Sequence, residues 1–168
     1  MIWKKPINLL NPYPLEENDS LTYGFETIQG IKYKIYFLDY SYLFDEFPQI
    51  NCPIYSFNIE LFGGNPEIST KDDRVGVTIA YILFSFFEQL ENVAVYVCDP
   101  TDERHHARKR KFDIWFKTYN DGSLVKKDGV ANAGGMVLYN SIIFHKDHPE
   151  FHDLILAFNS LNSKADEK

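Results

Sequence analysis

The segment Val93-Ala-Val-Tyr-Val-Cys98 is apolar at every position. Side chains alternate between the two faces of a strand, so an unbroken apolar run needs cover on both faces. It is therefore expected to be a central strand of a sheet. Helix-period stretches flank it. Upstream, Val75, Ile79, Ile82, Leu83, Phe86, Phe87 and Leu90 make a broad apolar stripe, with Ser69 or Thr70 as cap and Asp72 or Asp73 three residues on. Downstream, Phe112, Trp115, Phe116 and Tyr119 recur at i, i+3, i+4 and i+7, within a helix expected from Pro100 to about Thr118.

The rest of the chain reads mostly as strands. Leu21–Thr27 and Ile31–Asp39 make a hairpin, and Pro53–Leu61 alternates with Tyr55, Phe57, Ile59 and Leu61 on one face. A second hairpin spans Leu124–Asn132 and Met136–His145 through Ala133-Gly134-Gly135, and a last helix starts near Pro149. The expected order is βββ-α-β-α-ββ-α. This is one α+β domain, an antiparallel-dominated sheet covered mainly on one face by three helices. Residues 1–20 are expected as an irregular arm, 21–161 as the domain and 162–168 as a frayed tail.

With 168 residues, 14 Phe and 11 Tyr, the chain has the length and aromatic content for a packed core. No apolar run is long enough to span a membrane, and no secretory signal is visible. Cys52 and Cys98 lack metal-ligand spacing, so the cytoplasm is the expected compartment. The net charge is −7, yet residues 104–111 hold five positives and no acids, leaving 12 basic against 24 acidic residues elsewhere. A basic spot on an acidic body suits a local anionic partner, and tight nucleic-acid binding is not expected.

That basic spot follows the central strand directly, in CDPTDERHHARKRKFDIWF. Arg104, His105 and Arg108 continue the apolar stripe of the following helix toward the body. His106, Lys109, Arg110 and Lys117 fall toward solvent. Asp99 is placed to cap the helix, with Pro100 at its first position and Asp102 in its first turn. A body-facing arginine needs an anion, either a structural acid or a ligand carboxylate or phosphate. The candidate binding residues are thus Asp99, Asp102, Arg104, His105 and Arg108, with no catalytic residue assigned.

This stretch resembles an uncharacterised bacterial family, found mostly in Bacteroidetes, with the pattern Cys-Asp-x-x-Asp-x-Arg followed by Arg-x-Arg-x-Phe-x-x-Trp-Phe. YKIYFLDYSYLF and YSFNIE resemble its upstream stretches, so the likeness covers roughly residues 20–145. It implies a shared fold and a shared polar corner, and no reaction.

His145, His148 and His152 cluster in sequence, but a surface pair of His148 and His152, with capping by His148, is the expected arrangement, and no metal or cofactor is expected. The functional expectation is a small binding or adaptor protein whose partner is a protein or a small anion. The alternative is a Mg²⁺-dependent nuclease resembling ribonuclease H in element order, with Asp99, Glu26 and Asp72 or Asp73 as its acids.

Overall fold

The computed structural model of the chain describes residues 11–64, 71–98, 100 and 104–165. The elements in order are β1 (Glu16–Asp19), β2 (Thr22–Glu26), β3 (Lys32–Asp39), a 3-10 turn (Ser41–Phe44), β4 (Ile54–Phe62) and α1 (Asp73–Phe86). Then come β5 (Val93–Cys98), α2 (His105–Tyr119), β6 (Leu124–Ala133), β7 (Met136–His145) and α3 (Phe151–Ala165). The seven strands form one sheet in the order β1-β2-β3-β4-β5-β7-β6. All neighbours are antiparallel except β4 and β5. The α+β, antiparallel-dominated architecture is the expected one, with one strand added in front.

That added strand lies in the stretch read as an irregular arm. Glu16, Glu17 and Asp19 pair with Gly24, Tyr23 and Thr22 of β2. Just upstream, Tyr13 is buried, its N–H donates to Thr78 Oγ1 (2.9 Å) and its hydroxyl to Asp72 (2.5 Å). The Arg74 guanidinium lies 3.8 Å from the Tyr13 ring centre. These contacts fasten the segment to the start of α1, although its polar composition gave no strand signal.

Alternation sorts the core into two layers. Phe37, Phe57, Ala94, Tyr96 and Ile143 face α1 and α2, joining Ile79, Leu83 and Phe112. Val93, Val95, Ile142 and Phe144 face the other way, against Leu154, Ala157 and Phe158 of α3 and Phe44 of the 3-10 turn. The central-strand reading of β5 follows from this, since both its faces are covered from Val93 to Tyr96, whereas Val97 is exposed. Cover by helices on one face describes α1 and α2, whereas α3 lies on the opposite face. It shields β5, β6 and β7, and the even-numbered side chains of β3, such as Lys34 and Leu38, stay uncovered.

The helix ends differ from the sequence expectation. Asp72 itself caps α1, accepting the Arg74 N–H (3.0 Å), whereas Ser69 and Thr70 lie outside the described residues. The helix stops at Phe86, where the Asn92 side chain donates to the Phe86 carbonyl (2.9 Å), and Leu90 is exposed. At the β6–β7 turn, Gly134 and Gly135 both have positive φ (+58° and +84°), which explains the paired glycines. α3 continues to Ala165, into the segment expected to fray, whose last residues, 166–168, lie outside the described residues. Asn162 donates to the Phe158 carbonyl (3.0 Å) and accepts from Asn140 of β7 (2.7 Å).

Gly76 sets the distance between α1 and α2. A Cβ there would lie 2.5 Å from Trp115 Nε1 and 2.6 Å from Cδ1. Glycine to alanine inside a helix normally gains about 1 kcal/mol. Here overpacking against the indole outweighs that gain, so Gly76→Ala is expected to destabilise by about 1–2 kcal/mol net. Adding Trp115→Leu should remove the clash and make the alanine neutral or favourable. Urea denaturation of the single and double variants checks this, and a stabilised single variant would refute it.

Candidate functional site

The one parallel pair in the sheet opens into a cleft. β4 and β5 pair only over Ile54–Ser56 and Val93–Val95. β4 continues to Phe62 and β5 to Cys98, each keeping its other neighbour. From Phe57 onward the β5-facing side of β4 has no strand partner among the described residues. A cleft of ≈ 690 Å³ occupies the gap, lined by five successive β4 residues (Phe57, Asn58, Ile59, Glu60 and Leu61), by Tyr96 and Val97, and by α2. Successive residues of one strand point to opposite faces. A space that all five line therefore passes along the strand edge and opens on both faces of the sheet.

The two mouths differ. On the helix side, Arg104, Arg108, Lys111 and Trp115 of α2 line the cleft. Lys111 Nζ stands 5.1 Å from the Trp115 ring centre. On the other side are Tyr36, Asn58 and Glu60. The Tyr36 hydroxyl donates to Glu60 Oε1 (2.6 Å). That bond, with some burial, pushes the Tyr36 hydroxyl up to about 12, so it stays protonated. Asn58 is fixed by donating to Ser56 Oγ (2.9 Å) and the Tyr36 carbonyl (3.3 Å).

Of the five predicted binding residues, Asp99 and Asp102 lie outside the described residues. Arg104 and Arg108 both reach the cleft, Arg104 exposed and Arg108 half-buried. His105 is half-buried, in a cluster of three rings: it stacks on Tyr139 (5.7 Å between centres) and lies tilted against His106 (4.2 Å), which meets the Tyr139 ring edge-on (5.0 Å). His105 Nδ1 is buried with no hydrogen-bond partner among the described residues.

Asp99, expected to cap the helix, lies outside the described residues. α2 begins at His105, five residues beyond Pro100, and Arg104 holds the cap position without a side-chain cap bond. The first turn carries no acid, so the positive end of the helix dipole and the basic side chains reinforce one another there. Behind this corner Tyr96 is buried, which raises its hydroxyl, while the nearby Arg108 charge acts in the opposite direction. Cys98 is likewise raised by burial, so it is an inert thiol.

The stripe reading of α2 holds for Phe112, fully buried, and for Trp115, Phe116 and Tyr119, packed at the core margin. Trp115 also forms part of the cleft wall, a second role that periodicity alone does not reveal.

Lys109 departs from its expected outward position. It bonds Asp113 (2.6 Å) and lies 3.9 Å from Asp128 of β6. Lys126 Nζ, almost buried, reaches Asp113 (2.6 Å) and Asp128 (2.5 Å). Ser141 of β7 donates to Asp128 (2.7 Å). Two lysines and two aspartates thus alternate between α2 and the β6–β7 hairpin and hold the helix in place beside the cleft.

Cys52, His148 and Glu150 have ligand atoms within 4.8 Å of one another. Their bonds leave little for a metal. His148 Nε2 meets the Glu91 carbonyl (3.0 Å), so it carries the proton, and Nδ1 accepts the Glu150 N–H (2.9 Å). His148 therefore caps the start of α3 as expected, but from a buried position, 3% exposed, and not as part of a surface pair with the exposed His152. Glu150 binds the Asn51 and Cys52 N–H groups, and burial with the Glu150 charge keeps Cys52 a thiol.

The fold and site together define an α+β domain with a basic helix laid over one open parallel strand pair. Residues 71–160, more than half of the chain, match the family of unknown function DUF6169, and the chain belongs to that family. No curated protein and no solved structure matches the chain. The matched span contains α1, β5, α2 and the β6–β7 hairpin, while β4, the other wall of the cleft, lies upstream.

Sequence reasoning missed Tyr36, Asn58, Glu60 and Lys111. The first three are ordinary polar positions of alternating strands, and only the place where pairing with β5 stops gives them a shared space.

Proposed function

We propose that the protein binds a small, extended anionic ligand in the β4–β5 cleft. The observation that carries this reading is the unpaired side of β4 from Phe57 to Leu61, facing the cations of α2. A strand edge recognises an extended chain through main-chain hydrogen bonds, which favours a ligand with amide groups along its length. Arg104, Arg108 and Lys111 favour carboxylate or phosphate at the helix-side mouth. An arginine has five N–H donors and holds a ligand oxygen while keeping other contacts. The acyl-bearing pantetheine arm of coenzyme A has this make-up, linear with amides and ending in phosphates. The cleft volume falls in the range usual for small-molecule sites.

The nuclease reading finds less support. Asp99, its central acid, lies outside the described residues. Asp72 is engaged by Tyr13 and the Arg74 N–H, and Glu26 sits on β2, two strands away from β4.

Isothermal titration of the full chain with acetyl-coenzyme A is the test. Arg108→Ala and Lys111→Ala should each weaken binding about tenfold, equivalent to about 1.4 kcal/mol. An acidic peptide and labelled single- and double-stranded nucleic acids serve as comparison ligands. Absence of acetyl-coenzyme A binding, with tight binding of the peptide or nucleic acid, would move the reading to a macromolecular partner.

A further inference from the structure

The cleft opens on both faces of the sheet, and its mouths differ in chemistry. The helix-side mouth is basic, whereas the far mouth presents Glu60, the Tyr36 hydroxyl and Asn58. An anionic ligand alone needs only the first. We infer that the far mouth receives a second substrate, a primary amine, and that Glu60 takes its proton as an acyl group passes to it from a thioester in the cleft. This rests on the reading of the cleft as an acyl-coenzyme A site.

Glu60 and Tyr36 lie on the face of the sheet turned away from α1 and α2; there, among the described residues, the cluster under α3 and the 3-10 turn reaches β4 only at Ile54, and Glu60 is exposed. The Tyr36 hydroxyl donates to one carboxylate oxygen, Oε1, and so orients Glu60 while the second oxygen remains able to accept. Lys34, on the neighbouring strand, rests over the Tyr36 ring (4.9 Å). Glu60 sits on the strand edge that would carry the extended thioester arm, so a nucleophile at the far mouth meets that arm from the opposite side of the sheet.

The residue types select the nucleophile. Attack by an amine nitrogen on the thioester carbonyl gives an addition intermediate whose N–H is strongly acidic, and a carboxylate suffices to take that proton. A hydroxyl nucleophile would call for a stronger base, and no histidine lines the cleft among the described residues. The step balances without an oxidant or further reactant. The C–N bond forms, the C–S bond breaks, the nitrogen proton passes to Glu60, and the thiolate leaves to be protonated by solvent. The products are an amide and free coenzyme A.

The test uses the full chain with acetyl-coenzyme A and a set of primary amines: spermidine, a lysine-containing peptide and an aminoglycoside. Thiol release is followed by colour reagent and the N-acetyl product by mass spectrometry. Wild type is expected to form N-acetyl product with at least one amine. Glu60→Gln should lower kcat by about 10²-fold or more while the acetyl-coenzyme A affinity stays within twofold. Tyr36→Phe, which removes only the orienting bond, should give a smaller loss. Should Glu60→Gln fail to fold, Glu60→Asp takes its place, with the same kcat-selective loss expected. Binding of acetyl-coenzyme A without amine acetylation, or equal turnover in Glu60→Gln, overturns this inference and leaves the binding reading standing. Failure to bind acetyl-coenzyme A removes both.

Discussion

Phe57→Ala is expected to destabilise the protein by about 3–5 kcal/mol, the usual cost of emptying a well-packed phenylalanine site. Phe57 is 2% exposed and sits where β4 parts from β5. Its ring lies 5.2 Å from Phe37, 5.8 Å from Tyr96 and 5.8 Å from Phe112, so it joins β3, β5 and α2 at one point. These neighbours belong to three different elements, and collapse to fill the void would have to move all of them. At about 2–4 °C per kcal/mol for a chain of this size, the melting midpoint should fall by roughly 6–20 °C. Leu38→Ala is the control. Leu38 is 55% exposed on the uncovered face and should change stability by no more than about 0.5 kcal/mol. Denaturant titrations of both variants give the comparison. A loss under about 1 kcal/mol for Phe57→Ala would mean that the cleft wall is loosely packed and that the ligand, rather than the apo core, organises it.

The parts of this fold legible in the sequence were those written as periodicity. β5 announces a two-sided burial because all six positions are apolar, and the stripe of α2 announces its core face from Phe112 onward. What stayed hidden was carried by pairing and by polar detail. β1 is a strand only because Glu16 and Glu17 align with the edge of β2, and its own residues carry no alternation signal. Asp99-Pro100 reads locally as a helix start, yet α2 begins at His105, where the stripe is still basic. Lys109 reads as a solvated lysine because its partner Asp128 lies on a strand 19 positions away. The cleft is the extreme case. Arg104 and Arg108 read as cations turned toward the body, and both line the cleft, Arg104 from an exposed position, but Glu60 and Tyr36 acquire their meaning from a strand pair that ends early. No local pattern encodes where a parallel pairing stops, since the residues on either side of that point alternate alike.

Lys126→Met is expected to cost about 2–3 kcal/mol at neutral pH. Removing one member of a buried ion pair costs about 3–5 kcal/mol because the partner charge is left uncompensated. The Lys126 side chain is 8% exposed, but Asp113 and Asp128 are 34% and 46% exposed, so water recovers part of that loss. After the substitution Lys109 alone would face both carboxylates, at 2.6 and 3.9 Å. The acid side of the network is testable through pH. Burial alone would raise Asp128, but its bonds from Lys126 and Ser141 and the lysine charges outweigh that and hold it below the ordinary carboxylate range. A depressed folded-state value means the contribution is complete above the unfolded value, about 3.9, and disappears as pH falls through the lower folded value. Wild-type stability should therefore decline below about pH 4 more steeply than that of Asp128→Asn. Lys109 has the opposite sign. Its bond to Asp113 raises it, so its contribution is complete at neutral pH and is lost only as pH rises above about 10.4 through the higher folded value. Replacing all three of Lys126, Asp113 and Asp128 by apolar residues of similar size should recover much of the single-variant loss, because no charge is then left without its partner. Urea denaturation at stepped pH measures each of these. A Lys126→Met protein within about 0.5 kcal/mol of wild type at pH 7 would show that Lys109 and solvent satisfy both aspartates, and that α2 is held beside the cleft by its apolar stripe alone.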